Sequence, residues 1–243
     1  MPHSLFGIIG SSGSDGSIGG WKELGRTTLG SIGDTITASS IPNKRYYMVL
    51  ASIEPSGAVD SLFRINNLST STYAYRTTTN GAADSTGTSQ TSDPTNDSGA
   101  PTTPFFGLRY VANFSSKEKL WMYLSSQQNA SGSGTAPTRI ESVSKNSLTS
   151  GVIDRFDYVN AGAGDFGVGS EIVILGWDPA DTHTDNFWEE LDSKNGTGSS
   201  PTITPSWTTK KYLWIQGFLQ SSASATLNMQ YNGSSAANTN SHR

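Results

Sequence analysis

The chain lacks cysteine entirely among its 243 residues, so disulfide frameworks, thiolate metal sites and cysteine nucleophiles are excluded. Histidine is almost as scarce: His3 and His242 lie near the termini and His183 is the third, which argues against a Ser-His-Asp triad. Charged residues make up 15% of the chain, with a formal net charge of -4. Because non-specific nucleic-acid binding requires a Lys/Arg-rich face, the sequence predicts no nucleic-acid partner.

Long apolar runs are also missing. The longest apolar segment extends from Tyr46 to Ile53. It is much shorter than the roughly 20 residues that span a bilayer. The sequence therefore predicts no membrane span.

Glycine, serine and threonine are abundant instead, with 26, 38 and 27 residues respectively. Residues 7–20 read GIIGSSGSDGSIGG, a composition that buries too little apolar surface to offset the entropy of ordering the chain. We expect residues 1–20 to form a flexible Gly/Ser-rich arm.

From Trp21 onward, short runs rich in Val, Ile, Tyr, Phe and Thr alternate with turn residues, the pattern of strands and turns. Closely spaced antiparallel strands favour an all-β, antiparallel, jelly-roll-like β-sandwich over residues 21–179. The ten predicted strands are 22–29, 34–41, 45–53, 62–67, 73–79, 103–114, 119–126, 139–145, 153–160 and 171–177.

Side-chain alternation predicts which faces are buried. Residues 45–53 are apolar on both faces, which indicates a central strand covered on both sides by a second layer or a neighbouring subunit. In 103–114, one face carries Phe106, Leu108 and Tyr110 and the opposite face carries Arg109, so we expect the first to be buried and the second wet.

The chain also repeats part of itself. WKELGRTTLGSIGDTIT (21–37) aligns with WEELDSKNGTGSSPTIT (188–204), and KRYYMVLASI (44–53) aligns with KKYLWIQGFL (210–219). The sequence therefore predicts a partial second β repeat over 188–243, joined to the sandwich by an acidic linker, 180–187.

Half a sandwich leaves an apolar face and unpaired strand edges in water. Either the first domain or neighbouring copies must complete it, and we favour a homo-oligomer. Aromatic and aliphatic anchors would dominate such an interface. The expected assembly residues are Phe6, Ile8, Ile9, Trp188, Leu191, Tyr212, Trp214, Ile215 and Phe218.

No motif builds a convincing catalytic site, so we predict that the chain is not an enzyme. Residues 162–167, GAGDFG, match the nucleotide-binding pattern GxGxxG, but a strand rather than a helix follows them, which favours a hairpin loop. Asp154 and Asp157 beside Arg155 are three positions apart on a strand, so they point to opposite faces and favour ordinary surface ion pairs.

Two binding chemistries have candidates. Asp178, Asp181 and Asp185 are weak candidate ligands for a hard cation, but their spacing fits no EF-hand, so a solvated linker is favoured and neither metal nor cofactor is predicted. Trp121 and Tyr123 share one strand face and are candidates for stacking on a surface glycan, although core or interface aromatics are the favoured interpretation.

The segment VIDRFDYVNAGAGDFGVGSEIVILGWDP (152–179), together with LGRTTLGSIGDTIT and KRYYMVL, resembles structural proteins of tailed viruses of bacteria and archaea. These include head-decoration, head-fibre and tail-appendage proteins. The resemblance covers most of residues 21–179 and its motifs are structural. It implies a virion protein that assembles as an oligomer with other virion proteins, coating or decorating a capsid or forming part of a tail. The alternative is a carbohydrate-binding or adhesive module on a virus tail or cell surface.

Overall fold

The computed structural model describes residues 21–95, 102–178, 191, 192, 194, 204–206 and 208–213. Within these residues the regular secondary structure is all strand. The strands are β1 (Lys22–Thr28), β2 (Thr35–Ser39), β3 (Tyr46–Ile53), β4 (Pro55–Ser56), β5 (Ser61–Ile65), β6 (Tyr73–Thr79), β7 (Ser85–Gln90), β8 (Asp93–Pro94), β9 (Phe105–Ala112), β10 (Lys119–Gln127), β11 (Thr138–Asn146), β12 (Arg155–Asn160), β13 (Asp165–Phe166) and β14 (Glu171–Trp177).

The strands form two main sheets with antiparallel pairing throughout. The larger sheet has eight strands in the order β1-β14-β3-β9-β10-β11-β6-β7, and the smaller has four in the order β2-β12-β5-β8. A two-stranded ribbon pairs β13 with β4. The predicted all-β antiparallel sandwich is confirmed, whereas the jelly-roll connectivity is not.

The core lies between the two sheets. Tyr47 of β3 meets Phe156 of β12 edge to face at 5.2 Å, and Phe63 of β5 meets Trp121 of β10 at 5.7 Å between ring centroids. These side chains belong to one cluster of buried apolar residues drawn from both sheets. Apolar burial on this scale is the main contribution to folding.

All ten predicted strands are present, with ends that differ by at most two residues. The central position of β3 is also confirmed, because it lies between β14 and β9 and both its faces are largely buried. Four strands were not predicted. β4, β8 and β13 have two residues each, and β7, STGTSQ, has no apolar side chain to mark it.

The predicted orientation of β9 is wrong. Arg109 lies on the inner face and is fully buried, while Phe106 on the opposite face is exposed. The side chains of β9 do alternate between two faces, but the face that we expected to be exposed to solvent is the buried one. Two features cause the reversal: Phe105 and Val111 pack inward beside Arg109, and Arg109 finds a buried counter-charge.

The chain divides into two compact units, Met1–Phe187 with Ala237–Arg243, and Trp188–Ala236. In the described residues of the second unit, the backbone N–H of Ser206 donates to the carboxylate of Asp192 at 2.7 Å, and Lys194 Nζ lies 3.3 Å from that carboxylate. These residues form no strand, and the partial second repeat over 188–243 stays a prediction. The predicted arm, 1–20, and the linker, 180–187, lie outside the described residues.

The part of the chain that the structure describes holds no helix long and apolar enough to cross a bilayer.

Candidate functional site

A buried ion pair occupies the interior of the sandwich. Arg109 of β9 and Asp93 of β8 have no exposed side-chain surface, and their Nη2 and Oδ2 atoms are 2.7 Å apart. Arg109 Nη1 also donates to the hydroxyl of Tyr158 at 3.0 Å. The pair therefore joins the two sheets, since β9 belongs to the larger sheet and β8 and β12 to the smaller.

The rest of this cluster satisfies the carboxylate and encloses the guanidinium. Asp93 accepts hydrogen bonds from Trp121 Nε1 at 2.8 Å and from Ser144 Oγ at 2.7 Å. The guanidinium carbon of Arg109 lies 4.0 Å from the ring centre of Phe63 and 4.1 Å from that of Tyr123. Several hydrogen bonds and two ring faces thus compensate for the loss of water around two charges.

The surroundings of Arg109 favour its charged form. Burial by itself lowers the pKa of Arg109, but the oxygens of Tyr158 and Asp93 outweigh it, so the pKa is raised. Burial also raises the pKa of Tyr158 and Tyr123, which therefore stay protonated and can donate. The cluster is closed to solvent and its contacts connect the two sheets.

Trp121 and Tyr123 are part of that interior, which contradicts their proposed role in glycan stacking. Each is only 3% exposed. The Tyr123 hydroxyl donates to the carbonyl of Thr95 at 2.5 Å, and Trp121 donates to Asp93. The favoured interpretation was core or interface aromatics, and both residues are core aromatics.

The opposite face of β10 carries the aliphatic residues and faces outward. Leu120, Met122 and Leu124 are 51%, 56% and 48% exposed, and Val143 of β11 is 54% exposed. Met122 pairs with Tyr110 on one side and with Val143 on the other, while Leu124 pairs with Leu108. We call this surface the outer apolar face, and it consists of Leu108, Tyr110, Leu120, Met122, Leu124 and Val143.

The outer apolar face continues towards β3 and β14. Met48 and Leu50 of β3 pair with Tyr110 and Leu108 of β9, and both are 2% exposed. The ring of Trp21 lies 6.3 Å from that of Tyr110. The larger sheet is therefore apolar on both faces across its central strands. On its outer face the side chains are buried at β3, partly exposed at β9 and more exposed at β10.

The loop 161–164 does not close a hairpin, so that expectation is wrong: β12 pairs with β2 and β5, whereas β13 pairs with β4 and β14 pairs with β1 and β3. The Asn160 side chain accepts from the backbone N–H groups of Asp60 and Gly162 and donates to Asp34 at 2.9 Å. A Cβ on Gly164 would lie 2.5 Å from the backbone of Gly57. Strands β13 and β14 follow this loop, so it leads into no helix whose N-terminus could hold a phosphate.

The expectation of ordinary surface pairs at Asp154 and Asp157 is wrong for the second residue. Asp157 is fully buried and accepts from Thr37 Oγ1 at 2.7 Å, from Asn67 N at 3.1 Å and from Arg155 Nε at 2.7 Å. The reason is that β12 is an inner strand of the smaller sheet, flanked by β2 and β5.

The other predicted residues are only partly placed. Leu191 and Tyr212 are half-buried within the second unit, and Asp178 is half-buried at the end of β14. In the described ranges no three His, Asp or Glu side chains are grouped so as to hold a metal ion. Phe6, Ile8, Ile9, Asp181, Asp185, Trp188, Trp214, Ile215 and Phe218 lie outside the described residues.

Sequence reasoning missed both Asp93 and Arg109. Arg109 is the one charged residue in the apolar segment FFGLRYVA. Such a residue indicates either a solvent-exposed face of the strand or a buried ion pair. The partner that decides between them, Asp93, lies in a two-residue strand within a polar segment and gives no sequence signal.

Comparisons with protein-family models, with curated proteins and with solved structures find no match to this chain.

Proposed function

We propose that this chain is a virion structural protein that coats or decorates a capsid or forms part of a tail, and that it acts by packing its outer apolar face against neighbouring subunits. The observation that carries the proposal is the row of half-exposed aliphatic side chains on β10 and β11, Leu120, Met122, Leu124 and Val143. Contiguous exposed apolar surface of this kind marks interaction sites in folded proteins.

The arrangement of β10 supports an outward role for these side chains. Trp121 and Tyr123 of this strand point inward. There Trp121 donates a hydrogen bond to Asp93 and Tyr123 donates one to the carbonyl of Thr95. The aliphatic residues of the strand, which need no such acceptors, are left outside. Covering a Leu or Met side chain that is half in water contributes on the order of 1 kcal/mol, so four of them give a neighbouring subunit a substantial gain.

One edge of the larger sheet is less suited to assembly than its face. Edge strand β1 carries exposed charges at Lys22, Glu23 and Arg26 and an irregularity in pairing between Glu23 and Gly25. Charges and bulges are devices that discourage edge-to-edge pairing. The face of the sheet is therefore the surface through which we expect subunits to meet.

The resemblance to virion structural proteins supports the same proposal. The longest segment that carries the resemblance is 152–179, and it includes β12, the Asn160 loop, β13 and β14. The glycines in this segment allow backbone segments to approach closely, as at Gly164. The motif therefore has a structural role in the fold. The carbohydrate-binding alternative depended on Trp121 and Tyr123, which are buried, and the assembly proposal is the better supported of the two.

Quantitative mass spectrometry of purified particles from the source tests the proposal, with the most abundant shell protein as internal standard. A copy number comparable to that of the shell protein supports a coat or decoration role. A handful of copies per particle supports a tail role. Absence from particles would overturn the virion proposal and place the adhesive module first.

A further inference from the structure

A cavity of about 350 Å³ lies on the outer face of the larger sheet, at the end where β3 and β10 finish and β9 begins. Phe106 of β9 lines this cavity and is 41% exposed. Its neighbours in the strand register are Ser52 of β3 and Ser126 of β10, which also line the cavity. Because directly opposite residues of paired strands share one face, an aromatic side chain lies here between two hydroxyl groups.

The loop between β10 and β11 supplies another part of the lining, with Gln128 and Pro137. The backbone N–H of Gln128 donates to the carbonyl of Pro104 at 2.9 Å, which ties the loop to the start of β9. Within the loop, Asn129 Nδ2 donates to the carbonyl of Ala136 at 2.9 Å. These bonds hold the loop in place beside the cavity, so a ligand would find its site largely formed.

Glu54 is the one charged residue among the described residues that line the cavity. Its backbone N–H donates to Ser170 Oγ at 3.0 Å, and its carbonyl accepts a hydrogen bond from the same hydroxyl at 3.1 Å. The backbone is therefore fixed, while the residue itself is exposed. A carboxylate accepts hydrogen bonds from hydroxyl groups and repels phosphate and carboxylate groups.

We infer that this cavity binds a neutral oligosaccharide, with one sugar ring stacked on Phe106 and its hydroxyl groups bonded to Ser52, Ser126 and Glu54. A sugar ring has an apolar C–H face and a rim of hydroxyl groups, and both match an aromatic side chain flanked by polar groups. The volume is near the lower end of the roughly 300–1,000 Å³ of small-molecule sites, so it suits a short saccharide segment. This inference goes beyond the assembly proposal, does not rest on it, and does not involve the buried aromatic residues of β10.

Isothermal titration calorimetry of the full chain with four tetrasaccharides tests the inference. Cellotetraose, maltotetraose and N-acetylated chitotetraose are the neutral probes, and tetragalacturonate is the acidic probe. We expect the wild type to bind at least one neutral probe at millimolar concentration. Tetragalacturonate should bind about tenfold more weakly or not at all, because Glu54 repels its carboxylates.

Substitutions at Phe106 and Glu54 test the two roles separately. Phe106→Ala should raise the dissociation constant of the bound neutral probe about tenfold, whereas Phe106→Tyr, which keeps a ring, should stay within about threefold of the wild type. Glu54→Gln keeps an acceptor oxygen but loses the charge. It should weaken neutral binding about threefold and reduce the discrimination against tetragalacturonate.

Val152→Ala is the control, because Val152 is 47% exposed and precedes β12, outside the cavity lining. Thermal unfolding of each variant verifies that the fold is intact. A wild type that binds no neutral probe, a Phe106→Ala variant that binds as tightly as the wild type, or tetragalacturonate bound as tightly as the neutral probes would each overturn the inference. The particle measurement is independent of these results, so failure of the saccharide site and failure of the virion proposal are distinguishable.

Discussion

At the scale of single residues, Arg109 determines how the interior of the sandwich is built. Its guanidinium carbon lies about equally far from the rings of Phe63 and Tyr123, at 4.0 and 4.1 Å. Its charge is balanced by Asp93, which in turn orients Trp121 and Ser144. A buried pair of this kind contributes little net stability relative to well-packed apolar residues. Removing one partner, however, leaves the other charge buried without a counter-charge.

We expect Asp93→Ala to lower the free energy of unfolding by about 3 to 5 kcal/mol, because Arg109 stays buried without its counter-charge. Asp84→Ala is the matched control, since Asp84 pairs with Arg76 at the surface and its loss costs at most about 1 kcal/mol. Urea denaturation followed by tryptophan fluorescence measures both. Equal effects of the two substitutions would contradict the structural role of the buried pair.

The buried tyrosines make the protein sensitive to alkali. Tyr73 accepts from the backbone N–H of Ile65 at 3.1 Å, and burial raises its pKa from 10.0 to about 12. Its ionisation is therefore easier in the unfolded chain, so its contribution to stability is intact below pH 10 and falls as the pH rises towards 12. The loss at the upper end is about 2 to 3 kcal/mol.

Denaturation midpoints measured at intervals from neutral pH to about 12 check this expectation. In Tyr73→Phe the decline above pH 10 should be shallower, though still present, because burial also raises the pKa of Tyr47 and Tyr158. Stability that is independent of pH in this window would contradict the burial of these hydroxyls.

At the scale of elements, the strands follow from the sequence but the faces of two of them do not. The ten runs of β-branched and aromatic residues all form strands. Alternation along a strand separates two faces without saying which one is inside. For β9 and β10 that choice depends on Asp93, whose position near Arg109, Trp121 and Ser144 arises only from the tertiary fold.

The close packing of β9 against β10 gives an element-scale prediction. A Cβ on Gly107 would lie 2.7 Å from the hydroxyl oxygen of Tyr123, in an interior that cannot expand freely. We expect Gly107→Ala to destabilise the fold by about 1 to 3 kcal/mol through overpacking. Thermal unfolding measures this loss.

Gly30→Ala is the matched control for that substitution. Nothing lies within 4 Å of a Cβ built on Gly30, so its effect should stay within about 0.5 kcal/mol. If Gly107→Ala were as harmless as Gly30→Ala, Tyr123 would not be packed over Gly107 as described.

At the scale of the whole molecule, a sheet of eight strands and a sheet of four enclose a core and leave one apolar surface outside. The sequence predicts the sandwich class and the double-sided burial of β3. It does not predict the outer apolar face, because Leu120, Met122 and Leu124 are indistinguishable by pattern from core residues until the inward direction of Trp121 is known. The outer apolar face is exposed because the hydrogen bond from Trp121 to Asp93 fixes the opposite face of β10 inside the core.

The most direct test of this account is the mass of the full chain in solution as a function of concentration, compared between Met122→Asp and Ile32→Asp. Met122 lies at the centre of the outer apolar face and Ile32 in the loop between β1 and β2, and both are 56% exposed. We expect the wild type and Ile32→Asp to self-associate and Met122→Asp to be monomeric at the same concentrations. Self-association that survives Met122→Asp unchanged, or is absent from the wild type, would contradict it.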